Sequence, residues 1–244
     1  MKIRIKFRKY DTMKYIGHLD LMRFFQKAIR RSGIDIRYTQ GFHPHQIMSF
    51  ALPLGVGMIG DGEYFDIEVN STESTETALK KLNAQMADGI EVLNYVLLPD
   101  DSKPSMSLVT CADYRYTVLP EERTVAFDLL QDRIRTYYEA QEIITVTKKS
   151  KKSERVLDIK PLIYSMKAVE SEGRPAVFLK LSAGSQENIK PELVLSDFLN
   201  YFGETFDPYC YERRRLDVYT GAPGAWKTLD ALGTPILQPA AEAL

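Results

Sequence analysis

Cysteine is nearly absent: Cys111 and Cys210 are the only two in 244 residues, and they form no CxxC pair. That spacing suggests neither a disulfide framework nor a thiolate metal site, so both thiols are expected as small apolar side chains in a reducing cytoplasm. No apolar run comes near the ~18 residues that a membrane span needs, and no membrane partner is expected. The opening MKIRIKFRKY alternates charge with apolar residues where a secretory signal would carry an apolar core, which argues against export. A Gly-rich phosphate loop, a GxSxG elbow and an HExxH helix are also missing. The formal net charge of −1 argues against a surface that holds nucleic acid indiscriminately and leaves room for a patch. Histidine is scarce as well. There are three, and His18, His43 and His45 all fall within the first fifty residues.

The same fifty residues carry eleven Lys and Arg against three Asp and Glu, an excess that the remainder must offset. Ile3, Ile5 and Phe7 alternate with Lys2, Lys6 and Arg8, the period-two pattern of a half-buried strand. HLDLMRFFQKAIRRSG places Leu19, Met22, Gln26 and Ile29 at helical spacing between the boundary residues Gly17 and Gly33. IMSFALPL and GEYFDIEVN read as a hairpin. STESTETALKKLNAQM is a Ser/Thr-capped helix burying Ala78, Leu79, Leu82 and Met86, and EVLNYVLL is a further strand. The expected fold class is α+β, with two ferredoxin-like βαββαβ halves in tandem. The first half spans 1–99, the polar DDSKPSM is a linker, and the second half spans 107–220. An insertion near Ile143–Leu162 carries the basic run KKSKKSER. Residues 221–244, rich in Gly and Pro, are expected to be an irregular tail that is either disordered or docked on a partner.

Asp20, Arg23, Lys27 and Arg30 recur at i, i+3, i+7 and i+10, one stripe of the first helix, and Arg31 widens it. Such a row beside the cations of the first strand suits the phosphates of RNA, while a solvated face with Asp20 paired to Arg23 is the plainer alternative. In TQGFHPHQ, Gly41 permits a bend and Pro44 holds His43 extended, so His43 and His45 point the same way. Three uses compete: phosphate or base contacts, an acid–base group with His18 and Asp20, or part of a zinc site that lacks a clear fourth ligand. No metal and no cofactor is expected. Phe42 stands between a stacking role and the core, whereas Phe50 is expected in the core. Glu63, Asp66 and Glu68 are expected to face water. VLDIKPLI and the ERRR run containing Arg213, Arg214 and Arg215 are expected at solvated strand edges.

The run KYIGHLDLMRFFQKAIRRSGIDIRYTQGFHPHQIMSFALPLGVG, followed by GEYFDIEV and later VLDIKPLI, closely resembles the radical SAM-linked domain family of unknown function. His18, Asp20 and Arg23 match its helix motif, and Gln40, Gly41, Phe42, Pro44 and His45 match its loop motif. Gly17 stands where many relatives have a Ser cap, and Gln46 where a second Pro is common. Relatives stand alone or are fused to a radical SAM, cobalamin-binding-type protein, and often lie near genes for RNA processing and ribosomal proteins. The resemblance thus implies a radical SAM partner, with RNA as a second candidate. The expected function is an accessory protein that presents RNA or an RNA-protein target to that enzyme. Arg23, Lys27, Arg30, Arg37, Gln40, Gly41 and Phe42 would hold RNA, and His18, His43 and His45 would complete the pocket. An RNA-cleaving or RNA-modifying enzyme using the three histidines and a protein-docking scaffold are the alternatives.

Overall fold

The structure, a computed structural model, describes residues 1–122, 125–149 and 154–241. The chain divides into two α+β units, one of residues 1–110 with 215–244 and one of residues 111–214. Among the described residues no helix is long and apolar enough to cross a membrane.

The first unit begins with β1 (Lys2–Lys9), α1 (His18–Ser32), β2 (Met48–Phe50), β3 (Ile59–Glu68) and the short β4 (Ser71–Thr72). It continues through α2 (Thr75–Asn83), β5 (Ile90–Leu97) and one turn of helix, α3 (Ser105–Leu108). Its sheet runs antiparallel in the order β5-β1-β3, and β2 also pairs with β3, Phe50 opposite Phe65. Ile3, Ile5 and Phe7 of β1 all point into the core beneath α1, as their alternation dictates. The buried stripe of α1 is not Leu19–Met22–Gln26–Ile29. It is Leu21, Phe25, Ala28, Ile29 and Ser32, with Leu19 exposed. The i, i+4, i+7, i+8 row wins because it carries Phe25, which joins Phe7, Phe50 and Phe65 in one aromatic cluster. The Phe7–Phe25 centroids lie 4.8 Å apart and those of Phe50–Phe65 5.1 Å. Edge-to-face and offset contacts of this kind add about 0.5–1.5 kcal/mol to the burial itself. Gly33 ends α1 at φ +75°, a left-handed position that suits glycine. Ser74 caps α2 by accepting from the Thr77 N–H, while Gly17 offers α1 no side-chain cap.

The second unit holds β6 (Cys111–Val118), α4 (Phe127–Ile134), β7 (Thr145–Lys149), β8 (Glu154–Asp158), β9 (Ile163–Ser171), β10 (Arg174–Ser182) and α5 (Pro191–Tyr201). Its sheet runs β6-β10-β9, all antiparallel, and β7 and β8 form a separate hairpin within the expected insertion. Glu172 and Gly173, both at positive φ, turn β9 into β10. The tip of the KKSKKSER run lies outside the described residues. VLDIKPLI is a solvated edge only in part, with Val156 and Leu157 exposed on the two-stranded hairpin and Asp158, Ile159 and Lys160 engaged. Ile159 is buried, Asp158 accepts from the N–H groups of Ile144 and Lys160, and the Lys160 ammonium reaches the Tyr138 carbonyl. Cys111 is buried, its thiol pushed up to about 12 by that burial, and Cys210 is half-buried; both are free.

The chain then returns to the first unit. From Arg215 onward β11 (Tyr211–Thr220) belongs there, followed by β12 (Lys227–Thr228), β13 (Thr234–Pro235) and β14 (Ala240–Ala241). The segment beyond 220 is therefore not irregular throughout. β12 pairs with β11, β13 with β5 and β14 with β4, and Leu229 and Ile236 are buried. The face of β1 opposite the core carries Lys2, Arg4, Lys6 and Arg8, and this segment meets it at Leu229, whose carbonyl accepts from Arg4.

Candidate nucleic-acid interface

Most of the cations of β1 are spent internally. Arg4 is fully buried, donates to both carboxylate oxygens of Asp66 at 2.8 and 3.0 Å, and donates to the Leu229 carbonyl. Lys6 donates to Asp217 at 2.7 Å, and Arg8 lies 3.5 Å from Asp61 and 3.7 Å from Glu91. The Tyr64 hydroxyl donates to Asp217 and Asp230, and burial beside these carboxylates pushes the phenol far up. Arg37, expected to hold phosphate, is paired with Glu68 at 3.5 Å. Asp66 and Glu68 thus face cations rather than water. Four of the eleven cations in the first fifty residues, Arg4, Lys6, Arg8 and Arg37, are thus paired with carboxylates further along the chain.

What stays exposed is the outer stripe of α1. Asp20, Arg23, Lys27, Arg30 and Arg31 all face solvent. Arg23 meets Asp20 at 3.3 Å with both side chains about two-thirds exposed, an ion pair worth little. Arg31 donates to Gln85. Among the described residues Lys27 and Arg30 have no hydrogen-bond or ion-pair partner.

Beside this stripe stands a small hairpin. Tyr38 bridges Gln46, the Thr39 N–H donates to the His45 carbonyl, and the Thr39 hydroxyl meets both the N–H and Nδ1 of His45, at 3.1 and 3.0 Å. Gly41, at φ +115°, makes the bend that the sequence anticipates. Gln40 to His45 are all exposed, and Phe42 is wholly so at 101%. The buried Gln46 anchors the hairpin by donating to the Gln26 carbonyl of α1.

His18 does not join this hairpin. It opens α1, eight residues before Gln26, or roughly 12 Å along the helix axis. Its ring packs edge-on against Phe50, centroids 5.1 Å apart, and His45 is five residues of mostly extended chain from Phe50, about 17 Å. Among the described residues no hydrogen bond or ring contact joins His18 to His43 or His45, and no three His, Cys, Asp or Glu side chains gather as a metal site. The three imidazoles therefore do not form the acid–base cluster that their closeness in sequence suggests.

His18 instead lies near a buried charge cluster that the sequence reading missed. Lys9, Glu63 and Arg215 are each almost wholly buried. Arg215 donates through Nε to Glu63 at 2.8 Å and through Nη2 to the other oxygen, and it also donates to the carbonyls of Leu52 and Pro53. Glu63 thus faces a guanidinium, not water, and Arg215 is no strand-edge residue. Lys9 donates to the Ile16 carbonyl at 3.1 Å. Burial pushes its ammonium below the ordinary lysine value, partly opposed by Glu63. Burial, then the charge of Lys9, also lowers His18. Glu63 is pushed up by burial and held back by Arg215. One sequence signal points here: Lys9 continues the Ile3–Ile5–Phe7 row, and a cation on the core side of a strand requires a buried partner.

No curated protein matches the chain. Among solved structures, the chain is similar to one chain of the crystal structure of a Cbf5-Nop10-Gar1 complex, at 10% identity and a TM-score of 0.47. That likeness covers 87% of this chain and 48% of the other, so the protein spans about half the length of its neighbour, and it is too slight to carry function. Residues 2–191, which include β1, the α1 stripe, the hairpin and VLDIKPLI, match the family described as "Uncharacterized protein conserved in bacteria (DUF2344)", and the chain belongs to that family.

Proposed function

We propose that the protein binds single-stranded RNA, or the RNA of an RNA-protein target, on the outer face of α1 and the adjoining hairpin, and presents it to a radical SAM enzyme in the cytoplasm. One observation carries the RNA part: the unpartnered cations Lys27 and Arg30 lie on the helix to which a hairpin bearing a wholly exposed phenyl ring, Phe42, and two exposed imidazoles is tied. Cations along a backbone and an aromatic surface for a base are what sequence-tolerant single-strand binding needs. Arg23 joins them by releasing Asp20. The radical SAM partner rests on the resemblance of the HLDLMR and QGFHPH motifs. A second inference concerns the fold: the two units are ferredoxin-like halves in tandem. It is supported by the sheet order β5-β1-β3-β2 in the first unit and β6-β10-β9 in the second.

Three phosphate contacts by Arg23, Lys27 and Arg30 correspond to a salt slope of roughly −2 in log affinity against log salt. Fluorescence anisotropy with a labelled single-stranded RNA checks this. The double variant Lys27→Glu/Arg30→Glu should weaken binding at least about tenfold and flatten the slope by more than ~1. Binding that is absent, or indifferent to salt and to these changes, rejects the reading.

A further inference from the structure

A cavity of about 230 Å³ lies in the first unit, on the face of the sheet opposite α1. Ile47, Leu98 and Pro104 give it mainly apolar walls, and Lys2 and Lys103 also line it. Both cations line this one cavity, and the Lys2 ammonium donates to the carbonyls of Asp100 at 2.7 Å and Ser102 at 3.0 Å, the latter one residue before Lys103. Carbonyls bring no countercharge, and one ammonium proton is left over. The two carboxylates of the lining are already engaged, Asp66 by Arg4 and the Ser105 N–H, and Glu68 by Arg37. The cavity is thus apolar in body and cationic at its mouth, with the Ser49 and Ser102 hydroxyls on its lining to read polar edges. It also adjoins the hairpin: Ile47 follows Gln46 directly, and Arg37 precedes Tyr38.

We propose that this cavity holds one nucleoside monophosphate unit, with the base against Ile47, Leu98 and Pro104 and the phosphate between Lys2 and Lys103. The proposal deepens the RNA reading and rests on it for its source, a terminal nucleotide of the bound strand. A free nucleotide carries the same chemistry and is the other source.

Calorimetric titration at low salt tests it with the common ribonucleoside 5′-monophosphates, their nucleosides, inorganic phosphate, and a short RNA with and without a 5′-phosphate. At least one monophosphate should bind about tenfold or more tightly than both its nucleoside and phosphate. The exposed Lys103→Glu should remove that advantage, and Ile47→Trp, which fills the cavity, should remove it too with the far-UV circular dichroism unchanged. A 5′-phosphorylated RNA that binds more tightly than the 5′-hydroxyl form identifies the strand end as the source. Equal RNA affinities with tight monophosphate binding identify the free nucleotide. If RNA binds while no monophosphate outcompetes phosphate, the cavity proposal falls and the α1 reading stands. Monophosphate binding without any RNA binding upholds the cavity and removes the α1 reading.

Discussion

Replacing Glu63 by Gln would keep an amide oxygen beside the buried Arg215 but remove the negative charge that its guanidinium faces, and would take from Lys9 the carboxylate that favours its charged form. Removing one partner of a buried ion pair costs about 3–5 kcal/mol, because the remaining charge has neither water nor a counterion. Total stabilities run to about 5–15 kcal/mol, so this loss is a large fraction of the whole. At about 2–4 °C per kcal/mol for a chain of this size, the melting temperature should fall by roughly 6–20 °C. The companion Glu63→Met/Arg215→Met removes both charges and should recover most of the loss, since an apolar pair of similar volume is often neutral. Urea unfolding read by the fluorescence of Trp226, the single tryptophan and part of the first unit, is the direct assay. A Glu63→Gln midpoint shift worth under ~1 kcal/mol, or a double variant less stable than the single one, would refute a closed buried pair.

His18 titrates below its ordinary value of 6.5 when folded, so the unfolded chain takes up a proton first as pH falls. Its contribution is complete above pH 6.5 and is lost as pH falls through the folded value, and His18→Phe should flatten the decline in melting temperature on acidification. Phe42→Ala should leave the melting temperature within about 1 °C, because the ring touches nothing, yet cost about 1–3 kcal/mol in RNA binding as one stacked base is lost. Truncation after Thr220 strips Leu229 and Ile236 from the core, the Leu229 carbonyl from Arg4 and Asp230 from Tyr64. The truncated protein should be markedly destabilised in a thermal melt, whereas a loose tail would leave the melt unchanged.

Local patterns were legible in the sequence, and long-range pairings were not. The alternation of β1, the glycine boundaries of α1, a Ser/Thr cap on α2 and the bend at Gly41 all depend on neighbours within a few residues. The fate of Arg4, Lys6 and Arg37 depends on Asp66, Asp217 and Glu68, up to 211 positions away. No count of charge in a fifty-residue window can register that. His18, His43 and His45 illustrate the same limit in reverse. They are close in sequence, but a helix start and a hairpin tip project them apart. The exposed stripe of α1 survives because helical period alone sets it.

The sharpest test is photo-crosslinking of a 4-thiouridine-containing single-stranded RNA to the intact protein, followed by mass spectrometry of the linked peptides. The account predicts adducts on the peptides containing Arg23 to Arg30 and Tyr38 to Gln46, centred on Phe42. Adducts confined to residues 111–214, or none at concentrations where a positive control links, would contradict it.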